Sequence, residues 1–363
     1  MKKKVSILLI AIALISVSCN NENKKKIEKK VSAKEVVEKV ASPKDYGVTN
    51  TQYRVAESNH FFQKSLKKVE INKFAHQRQI VNVEIQQVIR ENQDILYSSA
   101  VVDVTKGLTL TVPEYDAYSI IQVIDMQNYS VATVYAGETK TITLDDLSVG
   151  NYVYLNARTQ PTSNDEKGLK NAHKQQNALI IKAKSAKPYN APDDLISDEK
   201  MLKIRKALIQ DVANGKISDY SKMMGTKDFV NVQGHLYASA YGWGGLPIYD
   251  AGYLTVINKV DGKSCSSVTI DAPPVDYKKG GFWSITTYNE KGYLAFDKAA
   301  ISNNDAVINE DGTITVRFNC EGEKNNLETV ETFSVLLRLY APLDVKEMSE
   351  YLKNGQEKYI VTK

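Results

Sequence analysis

A group of polar residues near position 95 has side chains that could contact a ligand. Asn92, Asp94 and Tyr97 lie close together in the sequence. Side chains alternate along a strand, so an extended segment would place Asn92 and Asp94 on one face. Asn and Asp also commonly cap turns and satisfy the backbone of buried loops. The residues therefore indicate either a binding position or a structural turn.

Arg158 is a natural partner for Asp94, either in a structural ion pair or as a charge-assisted clamp for a carboxylated substrate. Tyr97 and Tyr288 are candidate proton donors or bases, and Arg158 or Asn92 could neutralise a developing anion. These residue types favour acid–base chemistry on a carboxylated carbohydrate as one functional hypothesis.

Trp243 lies among Gly242, Gly244 and Gly245, where the backbone can turn tightly and leave the indole exposed or wedged between domains. The chain contains 21 Tyr and 8 Phe. Tyrosine rings can stack on sugars while their hydroxyls stay hydrated, although Tyr is also favoured in strands for structural reasons. A second hypothesis is therefore non-catalytic binding of a glycan or small molecule at a domain interface.

Several functional classes lack their sequence signatures. There is no Gly-x-Ser-x-Gly, His-Glu-x-x-His or Cys-x-x-Cys motif, and Asp261-Gly262-Lys263-Ser264 has Ile257 where a phosphate-binding loop needs its first glycine. With 3 Cys and 4 His, the composition predicts no metal site and no cofactor. The formal net charge of +4 in 363 residues does not indicate nucleic-acid binding.

The first residues predict export and lipid attachment. Three lysines precede an apolar run from Val5 to Val17, a stretch of secretory length that is too short to span a bilayer. Ser18-Cys19 at its end resembles the lipobox of bacterial lipoproteins, in which the cysteine is acylated; simple cleavage near Ser18 is the alternative. We therefore expect Cys19 to anchor the protein to a membrane of the bacterial cell envelope, periplasmic or surface-exposed.

Export also makes the two remaining cysteines candidates for a disulfide. Cys265 and Cys320 lie beside predicted strands, and a bond between them would stabilise the fold by roughly 4 kcal/mol in the chain-entropy model. Two buried free thiols are the alternative, because spacing alone does not fix connectivity.

The pattern of apolar residues predicts a mainly β, α+β multidomain protein. Strand-like chemistry covers 80–90, 107–112, 119–125, 131–136 and 152–156, whereas 200–212 has helical spacing. Asp261-Gly262 predicts a hairpin of 254–260 with 266–270. We expect a signal peptide (1–18), a flexible tether (19–45), an N-terminal β-rich domain (46–164), a helical connector (165–230) and a C-terminal β-rich domain (231–363).

Four stretches resemble a bacterial family with paired domains of unknown function, DUF1254 and DUF1214. They are Arg90-Glu91-Asn92-Gln93-Asp94-Ile95-Leu96-Tyr97-Ser98 in the first half, and Trp243-Gly244-Gly245-Leu246-Pro247, Phe282-Trp283-Ser284 and Arg338-Leu339-Tyr340-Ala341-Pro342 in the second. The resemblance runs from about Thr51 to Pro342. It implies two β-sandwich or jelly-roll-like domains, DUF1254-like and then DUF1214-like, and carries no agreed activity.

Overall fold

The computed structural model describes residues 40–217 and 222–363. The leader, most of the tether and the expected lipidation position Cys19 lie outside the described residues. The described helices are α1 (Asn50–Leu66), α2 (Glu166–Ala178), α3 (Asp198–Ala213), α4 (Val232–Tyr241) and α5 (Val345–Lys358). None of them is long and apolar enough to cross a membrane.

The strands fall into two groups along the chain. In the N-terminal half they are β1 (Ala75–His76), β2 (Leu96–Asp103), β3 (Leu108–Thr111), β4 (Ser119–Ile124), β5 (Ser130–Tyr135), β6 (Thr139–Ile142), β7 (Tyr152–Thr159) and β8 (Ile180–Ala183). In the C-terminal half they are β9 (Ala251–Asn258), β10 (Ser266–Ile270), β11 (Phe282–Asn289), β12 (Ala300–Ser302), β13 (Ile314–Phe318), β14 (Asn326–Leu327), β15 (Phe333–Tyr340) and β16 (Ile360–Val361).

The N-terminal strands form a sandwich of two sheets. The larger sheet has the strand order β1-β2-β7-β4-β5 and the smaller one β6-β3-β8. Every second residue of the central strands is apolar and points to the other sheet, because side chains alternate across a strand. Leu155, Val123 and Ala100 of the larger sheet pack in this way against Leu108 and Leu110 of the smaller one. Strand β8 follows α2, so the segment 165–230 also contributes a strand to this sandwich.

The C-terminal strands form a second sandwich of the same kind. Its larger sheet has the order β12-β11-β15-β9-β16 and its smaller sheet β10-β13-β14. Trp283, Ile285 and Leu337 of the larger sheet pack against Val268 and Val316 of the smaller one. The structure therefore confirms the predicted mainly β, multidomain fold with two sandwich-like halves.

The long helices fill the remaining space beside the sheets. Helices α1, α3 and α4 share an apolar cluster that includes Tyr53, Leu208 and Leu236. The helical spacing over 200–212 is confirmed, because these residues lie within α3. Thr49 and Gln52 form a capping box at the start of α1, which satisfies N–H groups that the helix itself cannot pair.

The strand expected over 80–90 is wrong: this segment is a loop. Its hydrogen-bonding groups pair with a loop of the C-terminal half instead of a neighbouring strand. The Arg90 N–H donates to the Gly292 carbonyl over 2.7 Å, and Gln86 bonds the backbone of Leu294. Val81 packs beside Tyr288. The segment thus leaves its own sandwich and covers part of the other one.

The hairpin expected around Asp261-Gly262 is also wrong. Strand β9 pairs with β15 and β16, whereas β10 pairs with β13 in the other sheet. The turn carries the chain between sheets because Gly262 docks against a different loop, donating its N–H to the Glu331 carbonyl over 2.8 Å. A Cβ at Gly262 would lie 2.1 Å from the Val330 carbonyl oxygen, so the close approach requires glycine.

Candidate functional site

The two large sheets meet through the faces that are not used for their own cores. On β7, Arg158 alternates with core residues, and its row across the sheet is Tyr97–Arg158–Ile120–Tyr135. On β15, Arg338 alternates in the same way, and its row is Tyr253–Arg338–Ser284–Ser302. We use the name junction cluster for the polar residues gathered here: Asn92, Asp94, Tyr97, Arg158, Tyr253, Ser284, Tyr288, Arg338 and Tyr340.

Arg158 is 5% exposed and lies on the N-terminal side of the junction. Its Nη1 donates to Gln122 Oε1 over 2.8 Å, and its Nη2 donates to the Gly244 carbonyl over 3.0 Å. The guanidinium carbon lies 5.7 Å from the centre of the Tyr97 ring. Both terminal nitrogens of Arg158 therefore have a neutral, uncharged acceptor.

Arg338 is 3% exposed and lies on the C-terminal side. Its Nη1 donates to Thr286 Oγ1 over 2.9 Å, and its Nη2 donates to the Tyr288 hydroxyl over 2.6 Å and to the Arg90 carbonyl over 2.8 Å. Among the described residues, no carboxylate forms an ion pair within 4.0 Å with this guanidinium or with that of Arg158. Within the described part of the chain, the junction therefore contains two buried cations with no carboxylate within 4.0 Å, and Asp94 lies close enough for its charge to act on Arg338.

Tyr340 links the two halves of the cluster. Asn92 Nδ2 donates to the Tyr340 hydroxyl over 2.6 Å, and the Asp94 N–H donates to Asn92 Oδ1 over 2.6 Å. The Tyr340 ring is stacked on Phe282 with centroids 4.5 Å apart, and Tyr118 packs at 5.3 Å. Asn92 therefore closes a turn and, at the same time, bonds strand β15 of the opposite domain.

Asp94 is an unusual carboxyl group because it is largely desolvated. Its Oδ2 accepts a hydrogen bond from Ser284 Oγ over 2.5 Å. Burial raises the pKa of Asp94 to about 6, against the opposing effects of this hydrogen bond and of the Arg338 charge. The group can consequently change protonation state close to neutral pH.

The ion pair expected between Asp94 and Arg158 is wrong. Leu96 is the first residue of β2 and pairs with Thr159, the last residue of β7, so Asp94 lies beyond the end of that pairing. Its neighbours are consequently Ser284 and Arg338 of the other domain. Both Asp94 and Arg158 do lie at the junction, but on its two different sides.

The outer rim of the cluster reaches solvent. Tyr253 is 42% exposed and Tyr97 is half-buried. Arg90 donates from Nη1 to Thr255 Oγ1, an exposed residue two positions after Tyr253 on β9, over 3.1 Å. The rim of the cluster thus contains two tyrosines and the cation of Arg90.

Tyr288 has a structural position within the cluster. Its hydroxyl accepts from Arg338 and donates to the Glu91 carbonyl over 2.9 Å, and its side chain is buried. Burial raises the pKa of Tyr288, which disfavours the phenolate that a catalytic base would require. Tyr288 orients Arg338, whereas the Tyr97 hydroxyl has no side-chain hydrogen bond to any described residue and lies at the rim.

Trp243 lies beside the cluster and contacts the N-terminal half. Its ring stacks on Phe61 of α1 with centroids 4.1 Å apart, and Nε1 donates to Ser58 Oγ over 3.0 Å. The following Gly244 has φ +74° and offers its carbonyl to Arg158. Trp243 therefore holds the loop that supplies an acceptor to the buried guanidinium.

Asp250 forms a further link across the junction. Its two carboxyl oxygens accept from Thr133 Oγ1 over 2.5 Å and from the Tyr135 hydroxyl over 2.8 Å. Burial raises the pKa of Asp250, and the two hydrogen bonds oppose this effect. The residue precedes β9, so it attaches the start of the C-terminal sheet to β5.

Two family models match this chain. One model, protein of unknown function (DUF1254), matches residues 71–143, and another, protein of unknown function (DUF1214), matches residues 257–344. The chain carries the paired DUF1254 and DUF1214 domains. The DUF1254 match contains Asn92, Asp94 and Tyr97, whereas the DUF1214 match contains Ser284 and Arg338.

One known structure supports the fold of this domain pair. The crystal structure of the VPA0106 protein from Vibrio parahaemolyticus is similar over 86% of this chain and 98% of its own, with a TM-score of 0.63 and 17% identity. An uncharacterised protein from Burkholderia cenocepacia matches 80% of this chain and 84% of its own, with a TM-score of 0.43 and 14% identity. No curated protein matched the sequence.

Cys265 and Cys320 are joined by a disulfide in the DUF1214 domain, with a Cα–Cα distance of 4.5 Å. The bond lies in the small sheet beside β10 and β13, on the side of the sandwich away from the junction face. Within residues 40–217 and 222–363, no group of three or more His, Cys, Asp or Glu side chains could hold a metal ion.

Some members of the junction cluster had no functional signal in the sequence. Arg338 and Ser284 belong to ordinary strand patterns, and only the strand register places them beside Tyr253. Two signals were available: both residues lie in stretches that resemble the family, and Arg338 is a charged residue in the mainly apolar strand Phe333–Tyr340, which predicts a buried or interfacial role.

Proposed function

We propose that the protein is an exported, lipid-anchored protein of the bacterial cell envelope that binds a small carboxylated ligand, such as an acidic sugar, at the junction of its two domains. The observation that carries the proposal is the buried guanidinium of Arg158, which has no ion-pair partner among the described residues. A carboxylate would neutralise this charge and bind it in a bidentate manner.

The surroundings of Arg158 favour a ligand over a purely structural role. A buried charge is costly unless it is paired and hydrogen-bonded. Two neutral acceptors, Gln122 and Gly244, compensate this cost only in part. The tyrosine rings of Tyr97 and Tyr253 at the rim would give a sugar both apolar surface and hydroxyl partners.

Export and anchoring rest on the leader and on Cys19, which the sequence provides. Acyl chains on one cysteine would hold the protein at the membrane surface, because each buried methylene contributes about 0.8 kcal/mol. The mature protein isolated from its membrane should begin at Cys19 and carry fatty acid, as intact-mass and peptide mass spectrometry can measure. A Cys19→Ser variant should lack the acyl mass, and an acyl-free wild-type protein beginning at Met1 would exclude the anchor.

Calorimetry of the chain from Asn20 onward tests the binding proposal. Galacturonate should bind measurably, whereas galactose, which lacks the carboxylate, should bind at least about tenfold more weakly. Arg158→Gln should abolish the preference for the acid. Arg54→Gln provides a matched control, because Arg54 is also buried but lies away from the junction beside Gln127 and Tyr129.

Two experimental results would contradict the proposal that Arg158 binds a carboxylate. If neither galacturonate nor a panel of aliphatic and aromatic carboxylates binds the folded protein at millimolar concentration, Arg158 is a structural residue. Retention of full carboxylate binding by a folded Arg158→Gln variant would have the same meaning.

The alternative is an enzyme of the cell envelope that performs acid–base chemistry on a carboxylated carbohydrate. Asp94 favours this alternative, because a carboxyl group with a pKa of about 6 can donate and accept protons near neutral pH. Tyr97 stands at the rim as a possible second proton carrier, whereas Tyr288 supports Arg338. Consumption of an acidic sugar that is lost in Asp94→Asn and in Tyr97→Phe would favour catalysis over binding alone.

A further inference from the structure

Six strands of the two sandwiches have the same connectivity. In the larger N-terminal sheet β2, β7, β4 and β5 are neighbours in this order, and in the C-terminal sheet β9, β15, β11 and β12 follow the same order. The small sheets share one strand pair, since β3 pairs with β6 and β10 pairs with β13, whereas their third strands, β8 and β14, lie on different edges. Strands β2 to β5 therefore correspond to β9 to β12, and β7 corresponds to β15.

This correspondence relates the two buried arginines. Arg158 lies near the end of β7 and is the register partner of Tyr97 near the start of β2. Arg338 lies near the end of β15 and is the register partner of Tyr253 near the start of β9. Each domain thus contributes one tyrosine–arginine pair, from equivalent strands, to the same junction.

The two pairs share a common electrostatic environment. Burial raises the pKa of the Tyr253 hydroxyl, and the charges of Arg158 and Arg338 both oppose this effect, so the hydroxyl responds to both cations. The Tyr340 ring packs edge-on against the Tyr253 ring with centroids 6.4 Å apart, and Tyr340 interacts electrostatically with both guanidinium groups. Neither cation has a carboxylate ion-pair partner among the described residues.

We propose that the junction is a two-armed anion site, in which Arg158 and Arg338 each bind one acidic group of the same ligand. The preferred ligand class is then a diacid, such as an aldaric acid or a short aliphatic dicarboxylate. This inference rests on the proposed function and adds to it the number of acidic groups that the site recognises.

Asp94 would make binding of the second acidic group dependent on pH. The groups that face Asp94 are Ser284 and Arg338, together with the charge of Asp305. An ionised Asp94 competes with a ligand carboxylate for Arg338, whereas a protonated Asp94 does not. The diacid should consequently bind more tightly at pH 5 than at pH 8, and a monoacid bound at Arg158 should change less.

A series of related sugars tests the proposal without any substitution. Galactose, galacturonate and galactarate have the same hydroxyl configuration and carry no, one and two carboxylates. For the wild-type chain we expect calorimetry to give at least about tenfold tighter binding for galactarate than for galacturonate. Butyrate and glutarate provide an aliphatic pair for the same comparison.

Substitutions of the two arginines then test which arginine binds which acidic group of the ligand. Arg338→Lys keeps the charge but loses the planar fork, and it should remove most of the diacid preference while leaving galacturonate binding close to wild type. Arg158→Gln should weaken both acids. Arg317→Gln, in the small sheet of the DUF1214 domain, serves as the control and should change neither affinity. Thermal melting of each variant shows whether it is folded.

The possible outcomes separate this inference from the proposed function. If the monoacid and the diacid bind the wild-type protein equally well, the two-armed site is excluded and the single-arm function stands. If no acid binds, the proposed function and the two-armed site both fail. Equal loss of monoacid and diacid binding in a folded Arg338→Lys variant also contradicts the assignment of separate arms.

Discussion

The Asn92 side chain donates a hydrogen bond to the Tyr340 hydroxyl across the domain junction, over 2.6 Å. Asn92 belongs to the loop before β2, and Tyr340 is the last residue of β15, so one bond joins the DUF1254 and DUF1214 domains. Both side chains are buried, which makes the loss of either partner costly, because the remaining polar group is left unsatisfied.

Removal of this bond should destabilise the protein. Tyr340→Phe is expected to lower the free energy of unfolding by roughly 1–3 kcal/mol, measured by urea denaturation. Tyr241→Phe is the control, because Tyr241 is exposed and should give almost no change. A double-mutant cycle with Asn92→Ala isolates the pair, and purely additive effects would show that the two side chains are not coupled.

Replacement of one carboxylate oxygen of Asp250 should also lower the stability of the protein. Its carboxylate accepts from both Thr133 and Tyr135, and an asparagine supplies only one acceptor oxygen. We expect Asp250→Asn to lower the free energy of unfolding by roughly 1–3 kcal/mol. The exposed Asp116 gives the matched Asp116→Asn variant. An Asp250→Asn protein as stable as wild type would show that the junction adapts to the lost acceptor.

The general fold could be predicted from the sequence because each sandwich core requires apolar residues at alternate positions along its strands. Trp283 and Tyr288 are five positions apart, so the alternation of side chains predicts opposite faces of their strand, and the structure places Trp283 in the sandwich core and Tyr288 at the junction. The loop 80–90 could not be recognised, since its apolar residues mimic a strand pattern although only Val81 packs in the cluster with the other domain and Val88 and Ile89 are exposed.

The candidate site was predictable only in part. The sequence indicated three polar residues that could contact a ligand, and the structure places all of them at the junction: Asn92, Asp94 and Arg158. Their partners depend on strand register and on contacts between domains that are far apart in the sequence. Arg338 lies beside Asp94 for this reason, a neighbour that local sequence spacing cannot indicate.

The contribution of Asp94 to the stability of the protein should decrease as the pH rises from about 4 to about 6. The pKa of Asp94 is about 6 in the folded protein and 3.8 as its ordinary value, so the folded state binds the proton more tightly than the unfolded state. The stabilising contribution of the protonated group is complete below the ordinary value and is lost as the pH rises through 6. The difference corresponds to at most about 3 kcal/mol.

Asp94→Asn should remove this pH dependence, because the amide does not titrate. Melting temperatures from pH 4 to pH 7 measure the effect, with Asp228→Asn as an exposed control that should keep the wild-type profile. An unchanged slope in Asp94→Asn would assign the titration to another group, and Asp250 is then the next residue to replace, since burial raises its pKa as well.

The disulfide should stabilise the DUF1214 domain specifically. Cys265 and Cys320 are 55 positions apart, and closing a loop of this length contributes roughly 4 kcal/mol in the chain-entropy model. The bond joins the ends of the paired strands β10 and β13, so Cys265→Ala with Cys320→Ala should unfold this sheet at lower denaturant concentration. Hydrogen exchange should therefore increase in β10 and β13, whereas β2 and β7 of the other sandwich keep their protection. Equal loss of protection in both sandwiches would instead show that the two domains unfold as one cooperative unit.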